Sequence, residues 1–208
     1  DFIVRGVEQL NPAMLCSILL LDSEGKHLGK GIAPSLPDFY NAAIDGIEIG
    51  LGVGSCGEAA FTGERVIVED ITTHPNWTAF SELASRARLG ACWSQPILSS
   101  SRQVLGTFAI YHENTHAPTE ADIYIIEQSA RLVSIAIERK QMEDEVRKLA
   151  FYDALTELPN RRLLTDRLKQ VLTASKRKGL LGALLFLDLD NFKPLNDQHG
   201  HDFGDLLL

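Results

Sequence analysis

Apolar and polar residues alternate in short blocks over roughly the first 115 positions, and one long helical periodicity follows them. Met14 to Leu21 is an apolar run that predicts a strand, and Ser23-Glu24-Gly25 turns it into a second strand from His27 to Ala33. Two prolines, Pro34 and Pro37, interrupt the chain there. Phe39-Tyr40 with Ala43-Ile44 then predicts a short helix, and Gly46 to Gly54 reads as a glycine-punctuated loop. Ser55 is expected to cap a helix from Cys56 to Phe61, with Glu58 three residues on as its capping-box partner. Val66-Ile67-Val68 is β-branched and strand-like, and a polar helix is expected from Thr78 to Ala87. Cys92 to Leu98 and Val104 to Tyr111 flank a Ser-Ser-Ser-Arg-Gln turn, the pattern of a hairpin. The sum is an α+β domain with an antiparallel sheet flanked by helices.

The long periodicity begins at Thr119, a predicted N-cap with Asp122 in the capping-box position, and meets no Gly or Pro until Pro159. Ile123, Ile126, Ala130, Val133 and Ile137 mark one apolar face at alternating steps of three and four. Ile125, Leu132, Ile135, Met142, Val146 and Leu149 mark a neighbouring face that continues through the charged ERKQMEDEVRK stretch. A helix with two apolar stripes needs two surfaces to cover them. One stripe is expected on the sheet and the other on a partner helix, as in a coiled coil. Gln128 and Arg139 interrupt the second stripe, which implies a loose seam.

After Pro159, Asn160 is a predicted helix cap, and Lys176-Arg177-Lys178 closes that helix where cations suit its dipole. The run from Leu180 to Leu187 predicts a buried strand, the most convincing part being Ala183 to Leu187. Asp188 and Asp190 stand at its polar end with alternate-residue spacing, so both would project from one strand face. Asp190 is read more simply as the N-cap of a helix opening at Asn191. A strand with no other strand to join exposes unpaired backbone, so this segment is expected either to pair with another chain or to lack order.

Composition narrows the classes. At 208 residues the chain is long for one domain, given about 100–200 residues per domain. Its 45% hydrophobic and 23% charged residues are ordinary globular values. A net charge of -8 argues against a general nucleic-acid surface. No apolar run approaches the ~20 residues that span a bilayer. The three cysteines, Cys16, Cys56 and Cys92, are too widely scattered for paired zinc spacing and fit a reducing cytoplasm. His112 and His116 straddle a strand end and a loop, which gives no metal-binding face.

Two resemblances emerge from these words. NPAMLCSILLLD, APSLPDFYNAAI, GSCGEAAFTG, VIVEDI, ACWSQPI and VLGTFAIY, in that order, resemble a GAF domain. DALTELPNRR together with LLFLDLDNFKPLNDQHGHDFGD resembles the first part of a GGDEF domain, the diguanylate cyclase family. The GAF likeness implies a small-molecule sensor or dimerisation module over residues 1–118, completed by a long helix over 119–152. Its candidate pocket residues are Phe39, Tyr40, Ser55, Cys56, Trp77 and Trp93, with no ligand fixed. The second likeness makes 153–208 a truncated nucleotidyl-cyclase-like α/β segment whose signature Gly-Gly-Asp/Glu-Glu-Phe loop is missing. It implies Mg²⁺ at the Asp188 carboxylate and the Leu189 carbonyl, with GTP contacted by Phe192, Lys193, Asn196, His201 and Asp205. DALTELPNRR is read as the joint that passes movement from the long helix onward.

The resemblance implies a cytoplasmic, homodimeric, sensor-regulated cyclase that makes cyclic di-GMP from two GTP molecules, with this chain alone inactive. A degenerate GTP-binding regulator of a downstream cyclic di-GMP phosphodiesterase is one alternative. A dimeric small-molecule-binding module without catalysis is the other. No nucleic-acid partner and no membrane segment are expected for this chain.

Overall fold

The computed structural model describes residues 1–179 and 181–208. Leu180, where the predicted apolar run begins, lies outside the described residues. The chain divides into two compact units, Asp1–Arg139 and Lys140–Leu208.

In the first unit, helix α1 (Phe2–Leu10) leads to strands β1 (Leu15–Leu21) and β2 (His27–Ile32), helix α2 (Asp38–Ile44) and strand β3 (Ile47–Glu48). Helix α3 (Gly54–Thr62), strand β4 (Val66–Val68), a 3₁₀ turn (Pro75–Phe80), helix α4 (Ser81–Arg86) and the hairpin β5 (Ala91–Leu98) and β6 (Val104–His112) follow. The strands form one six-stranded sheet in the order β3-β2-β1-β6-β5-β4. Every pairing is antiparallel. The β1–β2 register slips between Ile18 and Leu20. Gly31 sits at that slip because any Cβ there would overlap the Ile18 carbonyl.

Period-2 alternation gives the sheet two different faces. One packs Cys16, Ile18, Trp93, Ile97, Phe108 and Ile110 against Val4 and Val7 of α1 and against Ile126, Ala130 and Val133 of the long helix α5 (Glu120–Phe151). The other carries Leu19, Cys92, Ala109 and Tyr111 under Tyr40, Ile44, Cys56, Ala60 and Trp77. Ser17, Ser94 and Thr107 share this second face and are fully buried.

The predicted strands and the hairpin appear close to their expected bounds, and three local readings change. Ser55 does not cap α3: Val53 holds that position, and Ser55 lies inside the helix. Its hydroxyl instead donates to the Cys92 carbonyl (3.3 Å) and accepts from Trp77 Nε1 (3.0 Å). The Glu58 carboxylate accepts from the Gly52 amide and Asn76 Nδ2, so it braces two loops rather than its own helix. The predicted Thr78–Ala87 helix divides into the 3₁₀ turn and α4, with Pro75 opening the turn. Helix α1 and the two-residue β3 have no counterpart in the sequence reading.

Helix α5 opens on reciprocal bonds: the Thr119 amide donates to Asp122 Oδ2 (2.9 Å) and the Asp122 amide to Thr119 Oγ1 (3.2 Å). Ile125 packs with the core beneath the sheet instead of joining the outer stripe. Leu132, Ile135, Met142, Val146 and Leu149 are exposed.

In the second unit, α5 ends in a locally closed loop. Asn160 ties both sides of it. Its amide donates to the Phe151 carbonyl (2.9 Å) and its Nδ2 to the Ala150 carbonyl (3.0 Å). Its Oδ1 accepts from the amides of Arg162 and Leu163, the first turn of α6 (Arg161–Lys178). One residue, through its backbone amide and its side chain, thus satisfies orphan carbonyls of one helix and orphan amides of the next. Asp153 closes the loop by accepting from the Leu155 and Thr156 amides and the Thr156 hydroxyl, which holds its carboxyl below the usual range. Gly179, left-handed at φ 64, ends α6.

The predicted strand over 183–187 does not form: residues 181–189 carry no regular structure and stay exposed. A strand needs a neighbour for its backbone groups, and no described strand pairs with this segment. Two short helices follow, α7 (Phe192–His199) and α8 (His201–Leu207). Asp190 does not cap α7; Asn191, left-handed at φ 61, occupies that position without a side-chain cap bond.

Candidate functional site

The first candidate site lies between α3 and the second face of the sheet. A cavity of about 30 Å³ is lined by Tyr40, Ser55, Cys56, Trp77, Phe80 and Tyr111, among others. Helix α3 carries Ser55 and Cys56 inward because both fall on its buried side, and Leu19 of β1 and Tyr111 of β6 close the cavity from the sheet. The Cys56 sulfur is 3.7 Å from the Tyr111 hydroxyl, which also receives the Ser17 hydroxyl at 3.4 Å. The Tyr40 and Tyr111 rings meet edge to face at 6.0 Å. Burial, first of all, drives both phenols well above their ordinary range.

Of the six pocket residues expected from the sequence, Tyr40, Ser55, Cys56 and Trp77 line this cavity. Phe39 does not: it is partly exposed, with Arg86 stacked over its ring at 4.8 Å. Trp93 does not either, because the β5 alternation turns it to the opposite face. There Trp93 meets His112 (ring centroids 4.7 Å) and His116 (5.5 Å), while Trp93 Nε1 donates to the His116 carbonyl. Burial, then the neighbouring His116, lowers the His112 pKa, and Asp122 opposes them.

The second candidate group is spread along the last unit. Asp188 and Leu189 sit in the irregular exposed segment, and Phe192, Lys193 and Asn196 lie on α7. His201 and Asp205 lie on α8. Asn196 faces Gly204, where any Cβ would overlap its side-chain oxygen, and that oxygen is buried without a hydrogen-bond partner. The structure joins α7 to α8 through this contact and does not draw Asp188 into it. Among the described residues no group of three or more His, Cys, Asp or Glu could hold a metal.

The family profile of the GAF domain matches residues 1–138. The chain belongs to the GAF domain family. The profile of the diguanylate cyclase GGDEF domain matches residues 150–208, so a partial GGDEF domain follows the GAF domain. A methyl sulfide methyltransferase-associated sensor from Methanosarcina acetivorans is 41% identical over 146 residues, covering 70% of this chain and 15% of that protein. A bifunctional diguanylate cyclase/cyclic di-GMP phosphodiesterase, MucR of Pseudomonas aeruginosa, is 47% identical over 79 residues, covering 38% of this chain and 12% of that protein. The chain therefore spans a small part of either relative. Among solved structures, the GAF domain of an Acinetobacter phosphoenolpyruvate-protein phosphotransferase superposes with a TM-score of 0.50 at 19% identity, covering 70% of this chain and 83% of that one.

Sequence reasoning missed the small polar residues buried on the sheet face under α3. Cys92 and Ser94, two residues apart on β5, and Thr107 on β6 share that buried face. Only the strand register places them beside Cys56, which lies on a helix distant in sequence. The alternation CWSQ, in which Cys92 and Ser94 share one parity and Trp93 the other, carried that signal.

Proposed function

We propose that this chain is the sensing and coupling part of a diguanylate cyclase, in which the GAF unit controls an attached GGDEF domain that converts two GTP molecules to cyclic di-GMP. The observation that carries this reading is the order of parts: GAF, then GGDEF, linked by one uninterrupted helix, Glu120–Phe151. The exposed Leu132, Ile135, Met142, Val146 and Leu149 give that helix an apolar face suited to a second copy of itself. Pairing two chains there would bring two GGDEF domains together, each holding one GTP.

The Asp188 and Asp190 carboxylates and the Leu189 carbonyl offer the hard oxygen donors that Mg²⁺ takes, in a solvent-reachable segment that phosphates can approach. Asp188 and Leu189 would hold the ion, which when bound neutralises phosphate charge and favours ionisation of the attacking hydroxyl. Asn196, with both donor and acceptor, and Asp205, an acceptor, suit the guanine edge. The Asn196 oxygen has no hydrogen-bond partner but is buried against Gly204, so α7 and α8 would have to part for a base to reach it. Lys193 and His201 would face the phosphates, with Phe192 beside them. The Gly-Gly-Asp/Glu-Glu-Phe loop is not in this sequence, so this chain by itself is expected to turn over no GTP.

The deciding experiment uses the longer protein containing this chain, purified with and without Asp188→Ala. Cyclic di-GMP formation from GTP and Mg²⁺ should fall roughly 10²-fold or more with the substitution. Unchanged turnover would refute the metal assignment. GTP binding without turnover in the unsubstituted protein would instead favour a degenerate regulator of a phosphodiesterase, the second activity that the Pseudomonas relative's name carries.

A further inference from the structure

We propose that Cys56 and Cys92 form a peroxide-reactive dithiol inside the GAF unit, converted to an intramolecular disulfide by a hydroperoxide of hydrogen-peroxide size. This rests on the packing of α3 against β5 and stands whether or not the longer protein makes cyclic di-GMP.

Four observations converge. The two thiols share one buried cluster: the Ser55 hydroxyl beside Cys56 bonds the Cys92 carbonyl at 3.3 Å, Cys56 reaches Tyr111, the cross-strand partner of Cys92, and each thiol perturbs the other's ionisation. Both are unpaired in the reduced chain. The Tyr111 hydroxyl lies 3.7 Å from the Cys56 sulfur, and Ser94 and Thr107 are buried on the same sheet face. The hydroxyls of Ser94 and Thr107 are fully buried and make no hydrogen bond of ordinary geometry within the described structure. Burying two such hydroxyls is unfavourable unless something charged uses them, and a thiolate at Cys56 is such a group. Finally, the cavity beside Cys56 holds about 30 Å³. That suffices for a water-sized molecule and falls far below the ~300 Å³ at which pockets for organic ligands begin.

Electrostatics agree in direction. The Cys92 thiol first, then the hydroxyls of Ser94, Tyr111 and Thr107, pull the Cys56 proton affinity below the ordinary thiol range against the opposing effect of burial. Burial and the adjacent Cys56 hold the Cys92 proton on. The pair thus gives up its first proton readily and keeps its second. Cys16 is the contrast. It lies on the opposite face, and burial followed by the nearby Glu8 drives its thiol far above the ordinary range.

The chemistry balances in two steps. The Cys56 thiolate attacks one peroxide oxygen, the O–O bond breaks, and the departing hydroxide takes a proton to leave as water. Cys56 is then a sulfenic acid. The Cys92 sulfur attacks it, an S–S bond forms, and the hydroxyl leaves with the Cys92 proton as a second water. Two thiols lose two electrons and two protons, and the peroxide takes both.

The test uses the intact 208-residue chain, reduced, desalted and exposed to hydrogen peroxide, then alkylated under denaturing conditions and mapped by peptide mass. A Cys56–Cys92 linked peptide should accumulate at least about tenfold faster than any oxidation of Cys16. Cys92→Ser should stop at a sulfenic acid on Cys56 that dimedone traps, whereas Cys56→Ser should leave Cys92 unlabelled. The proposal is overturned if Cys16 oxidises as fast as the pair, if no linked peptide appears, or if the linkage joins two chains. Mapping the unsubstituted chain needs no variant, so a misfolded variant would not shelter the idea.

Discussion

The two units of this chain hold similar apolar words and treat them in opposite ways. In the first, Trp93, Phe108 and Ile110 are all 0% exposed. In the second, Leu185, Phe186 and Leu187 are 77%, 84% and 93% exposed. Strand β5 finds β4 on one side and β6 on the other, so its backbone groups are paired and its side chains covered on both faces. The run around Leu185 is at least as apolar, and no described strand pairs with it. An apolar, β-branched or leucine-rich word therefore permits a strand, and only a neighbour makes one. What the second unit does build is local: a helix cap, an Asx-type turn and a left-handed glycine stop, each closed within about ten residues.

The sharpest way to break this contrast is to truncate one side chain in each unit. Trp93→Ala should destabilise the GAF unit by about 3–5 kcal/mol, because the site is sealed by sheet and helix and cannot collapse. Leu185→Ala should change stability by less than ~0.5 kcal/mol, as for an exposed surface position. Urea denaturation followed by tryptophan fluorescence for the first, and by circular dichroism for the second, reads both values. Comparable losses would mean that the second unit has a buried core after all.

A smaller effect tests whether the second unit is held by local bonds. Asn160→Ala removes the α6 cap and the tie to the Ala150 carbonyl together. Losing the cap is expected to weaken that joint by about 1 kcal/mol. Hydrogen exchange should quicken at the Arg162 and Leu163 amides while the β5 and β6 amides keep their protection. If sheet amides lost protection equally, the two units would be unfolding as one.

The same contrast explains what the sequence made legible. Helix α5, its Thr119–Asp122 opening and the Asn160 cap were all readable, because each depends on residues within one or two turns. The β5–β6 hairpin was readable because its partners are adjacent in the chain. The cavity was only half readable. Tyr40, Ser55, Cys56 and Trp77 lie where glycine, proline and cap signals framed short helices, but Trp93 was assigned to the wrong face. A strand position fixes its side chain only once parity against the core is known, and both parities of β5 are apolar enough to be buried. Helix α1 was missed although its inward Val4 and Val7 mark one apolar face three residues apart. The GTP-facing positions were legible only as a resemblance, since Asp188 and Asn196 lie on segments with no common scaffold here.

Within the first unit, the buried hydroxyls under α3 invite a finer test of the same idea. Thr107→Val replaces a buried hydroxyl that lacks an ordinary partner with a methyl of similar shape. The GAF unit should become slightly more stable, by up to about 1 kcal/mol, seen as a melting point raised by about 2–4 °C. Oxidation of Cys56 should slow at the same time. A stability gain with a reactivity loss would mark Thr107 as kept for chemistry; a stability loss would show the hydroxyl already well bonded.

A pH-dependent test concerns His112, packed against Trp93 and His116 at one end of the sheet. Burial first, then His116, lowers its pKa in the fold, with Asp122 acting the other way. Free in the unfolded chain it titrates near 6.5. As pH falls through about 6.5 the unfolded chain therefore binds a proton that the folded chain refuses, and stability drops with it. The loss continues until the pH passes below the folded value, and above about 6.5 the contribution is fully present. The slope from this one group is at most ~1.4 kcal/mol per pH unit. His112→Phe keeps a ring against Trp93 and removes the titration, so it should flatten the stability profile between about pH 7 and pH 5. If the profile keeps its slope after that change, the ionisation that weakens the GAF unit between about pH 7 and pH 5 lies elsewhere.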